Sequence, residues 1–231
     1  VKLIRRQFAL DMGFVVPPIR IRDNLSLRPN CYSIKMKGLE IAQWEVMAGH
    51  FLAMDPGTAQ GPVEGLETRE PTFGLPARWI SGAFKERAQI LGYTVVDPSS
   101  VVATHLSEVI RREARELLGR QEVQALVDHL KQTHPALVEG IIPNQLSLGA
   151  VQRVLQGLLT EGVSIRDLPT ILESIADYAP FTRDPILLTE QARQALAKSI
   201  CRSLIAPDGT IGVLTLGPSM EQTLSEAIIQ N

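Results

Sequence analysis

Cysteine and aromatic residues are scarce in this chain, and each scarcity limits what it can be. Only Cys31 and Cys201 occur among 231 residues, far apart and in no C-x-x-C spacing. Both thiols are expected as small buried residues in a reducing cytosol, with a disulfide between them as the lesser alternative. Phe, Trp and Tyr make up 5% of the chain, so its cores must be built from Leu, Ile, Val and Ala. No apolar run approaches the roughly 20 residues that a membrane-spanning helix requires. No charged-then-apolar signal segment stands at the amino terminus. The net charge of −2 exerts no global pull toward nucleic acid or anionic lipid.

Motifs for chemistry are lacking as well. The four histidines are His50, His105, His129 and His134. The last two are five residues apart, off the helical spacing that sets two metal ligands on one face, and no Cys or carboxylate pair stands nearby. No GxGxxG, Walker-type loop or GxSxG is present. The glycines of residues 57–61 (GTAQG) lack the lysine and the following helix of a phosphate cradle. Glu113 and Glu116 lie among Arg111, Arg112 and Arg115, which reads as an ion-paired helix surface rather than an acid–base pair. The expectation is therefore no enzyme, no catalytic residue, no metal and no cofactor.

What is present is an α+β front half followed by helices. Residues 1–12 have helical apolar spacing; residues 19–22 (IRIR) alternate apolar and basic as a half-buried strand does. Residues 31–37 and 39–44 flank Lys37-Gly38 as a hairpin, and 51–54 read as a further short strand. A Gly/Pro-punctuated loop is expected over 57–74, longer than a plain connection needs. A strand at 77–80, a helix over 81–91 ended by Gly92, and a strand at 93–96 follow. Asp97-Pro98-Ser99-Ser100 supplies turn and cap for the next helix. Helices are then predicted over 101–118, 121–133, from Ser147, from Asp167, and over 189–204, with a strand at 213–216 and a last helix. Both ends read as cut: the first helix lacks a capping residue before it and the last lacks a C-cap.

Two charge patterns bear on partners. Residues 1–37 carry eight bases against Asp11 and Asp23, a local balance of +6. That is a solvated face, or else a surface toward a membrane or an acidic partner. Residues 146–177 match a helix-turn-helix, which would make the chain a nucleic-acid-binding regulator. A DNA reader needs a basic footprint, however, and residues 118–200 hold seven bases against nine acids. Packing or assembly is the better use of those helices, and no nucleic-acid partner is expected.

Several segments carry a resemblance to a known family. They are residues 69–80 (REPTFGLPARWI) and 92–106 (GYTVVDPSSVVATHL), with 8–14 (FALDMGF), 21–24 (IRDN), 54–59 (MDPGTA), 119–122 (GRQE), 154–159 (VLQGLL) and 163–168 (VSIRDL). In this order they resemble the cytoplasmic domain of the FlhA/SctV family, the export-gate proteins of bacterial flagella and type III secretion systems. The wording of 71–75 and 101–106 is closer to the flagellar branch. The resemblance implies a multi-subdomain fold. Residues 1–48 and 98–117 would form a truncated first subdomain, 49–97 an inserted second, 118–197 a helical ring-forming third, and 198–231 the start of a fourth.

It also implies a docking function at the cytoplasmic side of the inner membrane, attached there through a membrane part outside this chain. Implied partners are flagellar export chaperones with bound late substrates, other export-apparatus proteins, and further copies in a nine-membered ring. The family's groove between the first two subdomains uses an Asp, a Phe and a Thr. Here these positions hold Glu70, Phe73 and Thr104, with Leu52 and Val96 as further lining residues. The extra methylene of Glu70 is expected to move its carboxylate outward. Phe73, in a polar, Gly-flanked loop, suits an anchor, the alternative being a plug for its own core.

Overall fold

Helix α1 (Lys2–Met12) places Phe8 and Met12 one turn apart in a core, and Gly13 ends it in a left-handed conformation at φ 94°. In this computed structural model, which describes residues 1–229, the chain then runs without helix or strand to residue 30, with turns at 25–27 and 29–30. Residues 19–22 are not a strand, contrary to their alternating pattern: Arg20, Ile21 and Arg22 are all exposed and no neighbouring strand offers backbone partners. Alternation alone does not make a strand when both faces meet water.

Strands β1 (Cys31–Met36) and β2 (Leu39–Glu45) form an antiparallel hairpin. Its two turn residues, Lys37 at φ 51° and Gly38 at φ 86°, match the twist of the strands they join. A four-stranded antiparallel sheet follows, in the order β4-β5-β3-β6, from β3 (His50–Met54), β4 (Leu66–Arg69), β5 (Pro76–Ser81) and β6 (Thr94–Val96). The expected long loop thus contains a strand, β4, whose polar residues hid it. A 3-10 turn (Gly82–Phe84) and α2 (Lys85–Ile90) cover one face of this sheet. Ala53, Val63, Ile80 and Ala88 pack there, while Leu52, Ala77 and Trp79 on the other face pack against Val101.

Val101 belongs to α3 (Pro98–Arg112), which begins as the sequence indicates, with Pro98 in the first turn and the Asp97 carboxylate accepting from the Ser100 N–H. Hydrogen bonds from Ser100 and Ser99 hold that carboxylate well below the ordinary aspartate range. The helical part comprises α4 (Ala114–Leu117), α5 (Arg120–Lys131), α6 (Pro135–Ile141), α7 (Leu148–Thr160), α8 (Leu168–Tyr178), α9 (Pro185–Ala195) and α10 (Ala197–Leu204). Ser147 and Asp167 cap α7 and α8 as expected. The helix expected over 189–204 begins earlier, where Asp184 caps Pro185, and divides at Leu196. Residues 213–216 are not a strand, since no partner strand lies beside them, and α11 (Pro218–Ile229) follows. Cys31 is half-buried, and Cys201, on α10, is exposed rather than buried.

The main apolar core does not stop at the start of the helical part. Phe8, Met12, Phe14 and Val16 share one cluster with Leu118, Leu155, Leu158, Ile171, Leu172, Ile175 and Leu188. The chain also stitches α1 to the α7–α8 connection. Ile165 N–H donates to Met12 O at 2.9 Å, and Ser164 Oγ to Asp11 O at 2.7 Å. A Cβ on Gly13 would lie 2.4 Å from Arg166 N, so only glycine fits this junction.

Candidate docking site

The loop joining β4 to β5 is closed by its own hydrogen bonds. Glu70 N–H donates to Leu75 O at 2.9 Å, and Gly74 N–H donates back to Glu70 O at 3.0 Å. The Glu70 carboxylate turns inward over the turn, accepting from Thr72 N–H at 2.8 Å and from Phe73 N–H at 2.7 Å. Arg69 Nη1 donates to Gly74 O at 2.8 Å from outside. Gly74 sits at φ 69°, where a side chain would strain the turn. At the tip of this braced turn the Phe73 ring is 68% exposed, and Leu75 beside it is 47% exposed. An aromatic held in water on a hydrogen-bonded turn is ordered before any partner arrives, which removes part of the entropic cost of binding.

Two elements outside the loop contribute a half-buried tyrosine and a buried histidine. Tyr32 of β1 and His105 of α3 join through the phenol oxygen and Nδ1 at 2.6 Å, their rings edge to face. Burial pushes the Tyr32 phenol well above its ordinary range, with the field of Glu70 adding to it. Burial lowers the His105 pKa most, Glu70 opposes that by attracting a proton, and Arg112 reinforces it. With both groups neutral we assign the phenol, the stronger acid, as donor to Nδ1. The Glu70 carboxylate is itself 5% exposed, and its field reaches both members of this Tyr–His pair. Thr72 Oγ1, buried in the same turn, has no hydrogen-bond partner among the described residues.

The family model of the FHIPEP family matches residues 1–231. The chain belongs to the FHIPEP family. It is 51% identical over 228 residues to the flagellar biosynthesis protein FlhA of Bacillus subtilis, a match covering 99% of this chain and 34% of that protein. It is 45% identical over 228 residues to FlhA of Salmonella typhimurium, covering 99% of this chain and 33% of that one. The chain thus spans about a third of the length of the curated relatives it matches. Among solved structures, the Chlamydia pneumoniae CdsV protein superposes with a TM-score of 0.86 at 26% identity, covering 98% of this chain and 66% of that one. The nonameric SctV-C of EPEC, at 21% identity, covers 99% of this chain and 76% of that one with a TM-score of 0.70, and shares the fold. The mixed α/β architecture with its helical part is that of these FHIPEP-family domains.

Within this FHIPEP-family fold the five site residues named above fall into two groups. Phe73 is exposed and so is not a core plug; Thr104 is exposed on α3, adjacent to His105. Glu70 does not reach outward: its longer side chain lets the carboxylate fold back onto its own turn, where it accepts from the Thr72 and Phe73 N–H groups. Leu52 is fully buried between Val96 and Trp79 in the sheet register and packs toward Val101, so it supports the surface from beneath instead of lining it. Val96 is half-buried in the same cluster. Tyr32, His105 and Leu75 escaped sequence reasoning. A signal for His105 did exist, because it takes the middle place of the stripe Val101, His105, Val109 that α3 buries.

Among the described residues no helix is long and apolar enough to cross a membrane.

Proposed function

We propose that this chain is a docking part of the flagellar type III export gate, receiving export chaperones with bound late substrates on the Phe73 surface. One observation carries the reading: Phe73 is exposed at the tip of a turn closed by its own backbone and by the Glu70 carboxylate. A single ordered aromatic of this kind supplies much of the energy of a small interface. Thr104 and Leu75 complete the surface, and Glu70 and Leu52 hold it from behind. The function is recognition rather than catalysis. The chain would work at the cytoplasmic side of the inner membrane, anchored by parts of the protein outside these residues.

Self-association into a ring is the second element of the proposal. The fold is shared with a domain solved as a nonamer. The helical part also leaves Phe181, Ile186 and Leu187 exposed near one another in sequence, a patch that another copy can cover. CdsV has been solved with a second protein, CdsO, which supports further export-apparatus partners for this fold. We propose the subdomain division at 1–48 with 98–117, 49–97, 118–197 and 198–231. The four-stranded sheet lies inside the second of these segments. The helix-turn-helix alternative finds no support: α8 buries Leu168, Ile171, Leu172 and Ile175 and exposes Glu173 and Asp177, an acidic face that DNA repels.

Calorimetric titration with a flagellar chaperone–substrate complex, beside a folded Phe73→Ala variant, tests the docking reading. Binding that the variant abolishes supports it. Equal binding by both chains moves the site elsewhere, and no binding by either removes the reading's support.

A further inference from the structure

Strand β4 has one neighbour and one open edge. In the order β4-β5-β3-β6 it pairs only with β5 among the described residues, without a bulge, and Leu66, Glu67 and Arg69 are exposed. Antiparallel partners alternate between pairs that exchange hydrogen bonds and pairs that do not. Glu70 N–H donates to Leu75 O, and Pro76, opposite Arg69, has no N–H to give. Leu66 and Thr68 therefore bond to β5, while Glu67 and Arg69 turn their N–H and C=O groups to the open side. Among the described residues neither of these N–H groups has a partner, and Arg69 O takes only a long bond from Thr68 Oγ1 at 3.4 Å. The usual guards of an edge are missing. The Glu67 carboxylate is drawn to Arg78 on β5 and the Arg69 guanidinium to Gly74 O, so neither charge protects the strand. The opposite edge, β6, is only three residues long.

We propose that β4 is a strand-addition site: an extended segment of the docked chaperone–substrate complex pairs with Glu67 and Arg69 and continues the sheet beside the Phe73 turn. The two faces of β4 say what that segment looks like. Leu66 and Thr68 lie opposite Trp79 and Ala77, on the face that packs against Val101, and Leu66 is 61% exposed there. Glu67 and Arg69 lie on the other face, beside a cavity of about 430 Å³ that Asp55, Arg78 and Tyr93 also line. An added strand sets successive side chains on these two faces in turn, so the segment that fits alternates apolar and polar residues. Its backbone bonds supply affinity and the alternation supplies selection. Because β4 runs directly into the turn that carries Phe73, edge and aromatic form one continuous surface for a single partner. The inference rests on the docking function proposed above and names how the partner is held.

The experiment titrates the chain calorimetrically with a flagellar chaperone–substrate complex, beside Glu67→Pro, Glu67→Ala and Phe73→Ala variants whose folding is checked by circular dichroism. Proline at this position removes an outward N–H and leaves the bonds to β5 in place. Both Glu67 variants lose the carboxylate, so they differ in that N–H alone. Glu67→Pro should bind about tenfold more weakly than Glu67→Ala, roughly the worth of one backbone hydrogen bond. In the parent chain, amide exchange at Glu67 and Arg69 should slow at least about tenfold when the complex binds. This second measurement decides should the proline variant fail to fold. Equal binding by the two Glu67 variants, or amides that still exchange freely in the complex, overturns strand addition. Loss of binding in Phe73→Ala would then leave the docking reading standing, whereas no binding by the parent chain removes both. Protection that rises with chain concentration in the absence of the complex gives the edge to a second copy and likewise overturns the proposal.

Discussion

The helical part and the Phe73 turn are held together by opposite means. The helices close on a wholly apolar cluster in which Val151, Val154, Leu155, Leu158, Ile171 and Leu172 have no exposed surface. Its nearest polar member, Thr189, bonds within its own helix. The turn buries little apolar surface of its own and depends on four internal hydrogen bonds, two of them to one carboxylate. Apolar packing is insensitive to pH and tolerant of approximate geometry, while a charge-dependent brace is directional and titratable. The contrast separates endurance from adjustability: one region sustains the shape and the other holds an exposed aromatic in place.

Substitutions can break this contrast or sharpen it. The largest effect should come from Leu155→Ala, which removes a fully buried side chain from the helical core. A loss of about 3 kcal/mol in denaturant unfolding is expected, with chaperone affinity of the folded fraction unchanged. Phe73→Ala should do the reverse. Docking weakens by at least about 30-fold, near 2 kcal/mol, while the unfolding midpoint stays within error of the parent chain. A drop in that midpoint would mean that the ring is packed after all. Thr72→Val deletes the buried hydroxyl that lacks a partner while keeping its shape. It should stabilise the chain by about 1 kcal/mol in the same assay.

The smallest effect concerns pH. The folded chain holds His105 below its ordinary pKa, so the unfolded chain binds the proton more readily. The stability this group contributes is full above about pH 6.5 and declines as pH falls toward the folded value. His105→Asn should remove that slope, measured as unfolding free energy across the range, whereas Leu155→Ala should keep it.

The helical part was legible because its signals are local. Stripes at helical spacing and caps at Asp97, Ser147 and Asp167 mark most of its helices, while the short α6 and the start of α9 at Asp184 went unread. The sheet was legible wherever its strands are apolar, at β3, β5 and β6. It was hidden at β4, where Leu66, Glu67, Thr68 and Arg69 owe their strand state to pairing with β5. Residues 19–22 and 213–216 failed for the converse reason, having a strand pattern and no partner. At the site, Phe73 and Thr104 could be placed by resemblance. The inward turn of Glu70 and the Tyr32–His105 pair could not, because the first depends on how the loop closes and the second joins two elements far apart in sequence.

The stitch between α1 and the α7–α8 connection has a mechanical meaning. A pull on α1 loads the Met12–Ile165 bond and the Gly13–Arg166 contact first, and from there enters the helical core through Phe8 and Met12. The four-stranded sheet lies off that line of force, spliced into the chain by its two ends at His50 and Val96. Tension would be borne by one part and the Phe73 turn would ride on another, so a load on the first helix need not distort that turn.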